Sequence, residues 1–507
     1  MKKYFFNNIY KLILTLLISC SYTSIGNTKP VSIDNVQKVG QTKVKYEETK
    51  SGKQSSSWTK SNAIYTERSI KEVREIIDKT SKKVLAYVLD LEPKGYVVIS
   101  PDTDITPVIA HSLKSNFIME DSPNNILLHM VTWDMQNRLK VIPLISTNIK
   151  DKNNILWDKY LDGKDFMPTG TGVLTIYWPL ISTHWDQGTP YNDYCPMDPL
   201  APSENCLVGC VATSMAQIVN YFQYPGAVTF TADDNYTSQI DPCYPESTCE
   251  RIIPITATTA NFSNMTYPVT TNTGKAKLSY ACGVASKVNY SSTSSGTSQF
   301  YAAEAFKKFG YYSADLKESS SPDFYLTLQT NIKNGQPAQL GIIGTGGHFI
   351  VCDGYDSVVG DYHLNFGWGN GSNEDTWYML PDDLPNVGYN VVSLAVLNIK
   401  PHGDGGTKLT GLKAYPNPVY FNSSSFITIA GIPTDAIEPK IYIYNVAGEL
   451  IRILKKSPKI RPDILDGNTA YWDGKNESGE KVASGLYIYL VKTGNYGKGT
   501  GKFYIFW

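Results

Sequence analysis

One stretch constrains the fold of this chain more than any other: Gly209-Cys210-Val211-Ala212-Thr213-Ser214-Met215-Ala216-Gln217-Ile218-Val219-Asn220-Tyr221-Phe222. Met215, Ile218, Val219 and Phe222 recur at helical spacing, so the segment reads as a buried helix that begins at Cys210. At a helix start the unpaired N–H groups and the macrodipole favour a thiolate, the reactive form of cysteine. Gly209 permits close approach of a substrate backbone. An inert buried thiol fits the same spacing, so the assignment depends on partners elsewhere. Few exist, because 507 residues contain only 8 Cys and 6 His.

The base that a cysteine nucleophile needs is best supplied by His348. It follows Gly344-Thr345-Gly346-Gly347 and opens the apolar strand Phe349-Ile350-Val351-Cys352. Glycines such as Gly346 and Gly347 beside a strand-borne histidine clear space for a ligand backbone. Tyr362-His363-Leu364-Asn365-Phe366-Gly367-Trp368-Gly369 then reads as a strand ending in a Gly/aromatic turn. Asn365 is expected to hydrogen-bond the imidazole and fix its tautomer, with Trp368 shielding that bond from water. His363 shares a strand face with Asn365 and is the second candidate for the base. His184 and His402 read as structural.

Gly209–Pro225, Gly346-Gly347-His348, Tyr362–Gly369 and Asp186-Gln187-Gly188-Thr189-Pro190-Tyr191-Asn192 together resemble the streptopain family of papain-like secreted cysteine endopeptidases. The resemblance covers roughly residues 175–400. It implies an α+β fold, with a papain-like catalytic domain at 173–402 preceded by a small α+β prodomain. It also implies roles: Cys210 as nucleophile, His348 as general base and later acid, Gln187 as an oxyanion donor beside the Cys210 N–H, and Asn365 as the residue that orients His348. Protein and peptide substrates follow from it, with a bulky apolar residue often preceding the one attacked. The prodomain would inhibit its own enzyme. Two features depart from the family pattern. Phe366 stands where members often carry Trp, and 233–265 reads as an insertion that either alters cleft access or is a tolerated surface loop.

At roughly 150 residues per domain, the length predicts about three folded units. Lys2, Lys3 and Lys11 precede the apolar run Leu12–Ile18, which reads as a secretory signal over 1–26. Leu17-Ile18-Ser19-Cys20 also resembles a lipobox, so acylation at Cys20 and ordinary cleavage nearer Gly26 both stand. The propeptide spans 27–172. Its Lys/Ser/Thr/Gln-rich lead-in to about residue 60 is expected to be flexible. Ser69-Ile70-Lys71-Glu72 has the form of a capping box, and with Val73, Ile76 and Ile77 it predicts a helix. Segments 83–91, 95–100 and 105–110 read as strands, and Leu127, Val131, Met135 and Leu139 as a second helix. Gly95–Pro101 resembles prodomain sequence of streptopain-like proteases, and 151–171 reads as a processing region.

Gly403-Asp404-Gly405-Gly406 reads as a linker opening a 403–507 module. Alternating segments at 440–444, 485–490 and 502–506 predict an Ig-like β-sandwich. Tyr415-Pro416-Asn417-Pro418, Trp472–Asn476 and Ala483–Tyr487 resemble the C-terminal sorting modules of type IX secretion substrates. That implies contact with secretion machinery and a secreted, cell-surface or outer-membrane-associated product. A structural or carbohydrate-binding appendage is the other reading.

Cys195 with Cys206, and Cys243 with Cys249, have spacings that suit small disulfide loops in an exported protein. Cys282 and Cys352 sit in apolar runs and read as buried thiols. No Cys/His group has zinc spacing, so no metal or cofactor is expected, although acidic loops leave a structural Ca²⁺ open. A formal net charge of −1 argues against electrostatic capture of nucleic acid. Two other classes are an inactive surface adhesin on a protease scaffold and a Cys-His amidase acting on cell-wall peptides. Retention of Gln187, Cys210, His348 and Asn365 together favours the peptidase.

Overall fold

The computed structural model describes residues 29–55, 68–163, 176–239, 251–343, 347–369, 375–384 and 389–401. Beyond residue 408 it describes mainly 411–421, 426–433, 439–455, 469–493 and 498–507. The signal region, Gly346, His402, the Gly403 linker, Cys243 and Cys249 lie outside these residues.

The expected flexible lead-in is a helix, α1 (Ile33–Ser55). Val36, Val39 and Val44 are buried on it, each side chain worth about 1.5–3 kcal/mol when fully covered. Its polarity misled because Lys43, Glu47 and Lys50 are buried as well, held by ion pairs rather than by water. The expected capping-box helix is a strand, β1 (Ser69–Ile77), antiparallel to β2 (Val84–Glu92). A bulge between Ile70 and Glu72 puts Ile70 and Val73 on one face three residues apart, which imitates helical spacing. β3 (Tyr96–Ile99), β4 (Val108–Ser112) and helix α2 (Ile126–Val141) agree with the reading. The expected processing region begins inside helix α3 (Thr147–Asp162), whose Trp157 and Tyr160 are buried; residues 164–171 lie outside the described residues.

The catalytic part opens with β5 (Ile176–Tyr177) and a hairpin of β6 (Met197–Asp198) and β7 (Ala201–Asn205). Helix α4 (Cys210–Phe222) follows, with every residue after Cys210 buried. The expected insertion contains a second hairpin, β8 (Tyr236–Gln239) with β9 (Ile252–Ile255), whose Ile253 and Ile255 join the core around α4. Then come α5 (Asn272–Ala285), α6 (Gln299–Lys308), β10 (Tyr311–Glu318), α7 (Phe324–Lys333), β11 (Ala338–Ile342), β12 (His348–Asp356), β13 (Tyr362–Asn365), β14 (Thr376–Tyr378) and β15 (Val392–Pro401). The strands run in the order β1-β2-β3-β4-β14-β13-β12-β11-β15-β10, with β5 added on β12. One antiparallel sheet therefore crosses both units, joined where Ala110 and His111 pair with Tyr378 and Trp377.

The C-terminal part holds β16 (Lys413–Tyr415), β17 (Val419–Tyr420), β18 (Ile427–Ala430), β19 (Lys440–Asn445), β20 (Leu450–Lys455), β21 (Leu465–Asp466), β22 (Thr469–Trp472), β23 (Gly485–Lys492) and β24 (Lys498–Phe506). They form a four-stranded and a five-stranded sheet around Trp472, Tyr487, Tyr489 and Phe503. This part docks behind α4, where Lys413 Nζ sits 3.3 Å from the centre of the Tyr221 ring. Among the described residues, no helix is long and apolar enough to cross a membrane.

Candidate active site

Helix α4 begins where its sequence requires. Gly209 has φ +88°, and a Cβ there would meet Ser295 O at 3.3 Å and Val288 at 3.4 Å. Both the positive φ and the close packing against Ser295 and Val288 require a glycine at this position. It sets Cys210, half-buried, at the first helical position. Burial pushes the Cys210 thiol up, but His348 beside it, with the N–H groups of Phe349 and Val211, brings it below its ordinary value. A thiolate is favoured by these neighbours together.

His348 opens β12 and is almost buried. Its Nε2 lies 3.0 Å from the carbonyl oxygen of Phe366, which fixes Nε2–H as donor and leaves Nδ1 for the thiol. Trp368 stacks on the imidazole at 6.1 Å between centroids and 13° between planes. The expected bond from Asn365 to the imidazole is not formed. The Asn365 Nδ2 donates to Thr183 O at 2.8 Å, and its Oδ1 accepts from Gly367 N–H and Gln217 Nε2, each at 3.1 Å. β13 ends at Asn365, so the chain turns and presents the next carbonyl, not the Asn side chain, to the ring. Phe366, which stands where members of the family often carry Trp, is buried in the core and presents that carbonyl to the ring. Gly347 has φ +68° and no atom nearer than 3.9 Å to a built Cβ, which leaves open space before the imidazole.

The segment that carries Gln187 is tied to the turn at 366–369. Gly369 N–H donates to Trp185 O at 3.3 Å, and a Cβ on Gly369 would strike Asp186 Oδ2 at 2.9 Å. Asp186 Oδ1 accepts from the N–H groups of Gln187 and Gly188 at 2.6 and 2.9 Å. Gln187 O accepts from Val208 N–H at 2.9 Å, which ties this segment to the residues ahead of Cys210. The Gln187 side-chain amide has no hydrogen-bond partner among the described residues.

Sequence reasoning missed Gln217. It lies fully buried on α4, and its Oε1 accepts from Trp185 N–H at 3.1 Å and Thr183 Oγ1 at 2.9 Å. The signal was present: an amide inside a helix that reads as buried must find buried partners. His363 is 2.6 Å from Asp353 and does not face the thiol. His184 lies 3.8 Å from Asp375. The expected Cys195–Cys206 bridge is absent; both are free thiols packed in the α4 core as small apolar groups, where burial pushes Cys206 up to about 12. Cys282 and Cys352 are buried thiols as read.

A thiol on a helix start, an imidazole held by a carbonyl and an aromatic lid, and an amide without a partner among the described residues fit a cysteine peptidase. Residues 185–378 match the Peptidase C10 family, and residues 30–136 match the Spi protease inhibitor family. Residues 185–378 thus form a cysteine peptidase domain similar to that of the streptopain family, preceded by an inhibitor-like prodomain. The chain is 26% identical to streptopain of Streptococcus pyogenes over 352 residues, which cover 62% of this chain and 80% of that protein. It is 24% identical to the thiol protease/hemagglutinin PrtT of Porphyromonas gingivalis over 339 residues, 61% of this chain and 36% of that one. A prointerpain A fragment of Prevotella intermedia aligns at a TM-score of 0.44 and 22% identity, over 64% of this chain and 97% of that one.

Proposed function

We propose that this peptidase is a secreted endopeptidase made as a zymogen, hydrolysing proteins through a thioester on Cys210. The observation that carries the reading is Cys210 at the head of α4, with His348 at the start of β12 lowering its thiol below the ordinary value. The Cys210 thiolate attacks a peptide carbonyl carbon while His348 is protonated. The oxyanion is held by the Cys210 N–H and the Gln187 amide, a donor typically worth about 3 kcal/mol. His348 gives its proton to the leaving amine, the C–N bond breaks, and a thioester remains. His348 then takes a proton from water, whose oxygen attacks the thioester and releases Cys210.

The boundaries that fit this reading are a signal over 1–26, a propeptide over 27–172, a catalytic domain over 173–402 and a C-terminal module over 403–507. Inhibition by the propeptide is supported at its helix α2, where Ile126, His129 and Met130 share a crevice with Ile342, Ile343, Gly347 and His348. The two C-terminal sheets suit an Ig-like module for sorting or surface attachment.

Expression of Cys210→Ala tests the reading. It should accumulate as an unprocessed full-length chain that neither degrades unfolded casein nor reacts with an epoxide thiol-protease inhibitor. Normal maturation and labelling of that variant would overturn it.

A further inference from the structure

We propose that the buried His363–Asp353 pair is a positioning device for the segment 180–187, holding the Gln187 amide in register with Cys210. The inference rests on the reading of Gln187 as an oxyanion donor.

His363 is buried on β13, with Nδ1 2.6 Å from Asp353 Oδ1 and Nε2 3.4 Å from Asp375 Oδ1. Trp377 closes the ring edge-on at 5.4 Å. No substrate reaches an imidazole held this way, so it is not a second base. A Cβ on Gly354 would strike the His363 Cβ at 2.7 Å, so the strand beside it accommodates the ring only as glycine.

Asp353 is fully buried and joins the ring to the segment. Its Oδ2 accepts Ile181 N–H at 2.7 Å, and its main-chain oxygen accepts Leu180 N–H at 3.0 Å. From Ile181 the chain passes the Asn365 and Gln217 contacts at Thr183 and Trp185, then reaches Gln187. A buried carboxylate without a counter-charge is costly, and charge-assisted hydrogen bonds are the strong ones. His363 therefore supplies the partner that the buried Asp353 needs and keeps the segment anchored.

The surroundings agree. Burial pushes His363 down, but Asp353 and Asp375 outweigh it and bring it up to about 9. Behind Asp375 stand Lys114, at 3.2 Å, and His184. On the Asp353 side, Lys413 of the C-terminal part lies within its field.

The test compares His363→Gln with the double variant His363→Gln/Asp353→Asn, each as a full chain matured with the same added protease, afterwards inhibited. His363→Gln should lower kcat about tenfold or more, the scale of one misplaced oxyanion donor, with KM for a peptide little changed. Alkylation of Cys210 should keep its wild-type pH profile. The neutral double variant should regain much of the lost kcat, because no unpaired charge stays buried. Wild-type kcat should also fall above about pH 9 as His363 loses its proton, and that limb should vanish in the double variant. Wild-type kcat in His363→Gln would overturn the inference, as would a shifted alkylation profile. If the single variant does not fold, absence of the alkaline limb in the wild type overturns it. The reading of the site fails separately, through an active Cys210→Ala.

Discussion

The cleft and the seam between the prodomain and the catalytic domain each bury a histidine, and they treat it in opposite ways. At the cleft, His348 meets a neutral carbonyl, an aromatic face and the Cys210 thiol. At the seam, His111 lies 3.2 Å from Glu47 and 3.5 Å from Asp361. Lys43 Nζ is 2.9 Å from Glu47 and 3.1 Å from Asp361, while Lys50 Nζ is 2.9 Å from Glu47 and 2.6 Å from Asp356. Glu47, His111 and Asp361 have the spacing of metal ligands, but the lysines already pair with both carboxylates. The cleft keeps groups available for a substrate. The seam matches nearly every charge with another, so it holds rather than reacts.

The largest expected effect is at the cleft. His348→Ala should lower kcat/KM roughly 10³-fold, the usual scale for a general acid–base residue, in a chain whose circular dichroism is unchanged. A residual rate above a tenth of wild type would move the base elsewhere. At the seam, removal of one partner is the damaging change, because the others stay buried and charged. Lys50→Met should therefore cost the unprocessed chain about 3–5 kcal/mol in urea unfolding. The matured enzyme, which lacks α1 on the proposed boundaries, should be unaffected.

Acid sharpens the contrast. Burial pushes His111 down, as does Lys43, although Glu47 and Asp361 oppose them. Glu47 is pushed up by burial, but Lys43, Lys50 and His111 outweigh it and hold it well below the ordinary carboxylate range. Both shifts mean that the docked seam binds fewer protons than the released one. Its stability is complete above the ordinary histidine value near 6.5 and declines as pH falls, first through His111 and then through Glu47. Each group adds a slope of up to about 1.4 kcal/mol per pH unit. Unfolding of the unprocessed chain between pH 8 and 4 should show this decline, and His111→Gln should remove its upper part. A flat profile would mean that the lysines alone carry the seam.

The cleft was far more legible in the sequence than the seam, for a physical reason. Cys210 at a helix start and His348 beside glycines are local patterns, and both lie where their neighbours predict. The seam is made of residues up to 318 positions apart, and its α1 looks soluble because its buried face carries charges whose partners come from another unit. Ile70 and Val73 misled through a bulge that no local pattern announces. Cys195 and Cys206 have a spacing that suits a bridge, but spacing carries no information about how the core around α4 orients two thiols.

Asn365 gives the smallest and most discriminating effect. Its local sequence was read correctly as a strand end, yet its amide holds Thr183, Gln217 and Gly367 instead of the imidazole. It acts on His348 through the next residue, Phe366, whose carbonyl meets Nε2. Asn365→Ala would leave that carbonyl in the chain and loosen only the turn, so kcat should fall about tenfold, equivalent to about 1.4 kcal/mol, far less than for His348→Ala. Gln217→Ala should give a similar loss, and the double variant should lose little more, since contacting residues in one network are not additive. A loss in Asn365→Ala as deep as that of His348→Ala would mean that the amide reaches the imidazole during turnover. The cleft would then be as tightly cross-linked as the seam, and the difference between them would lie only in charge.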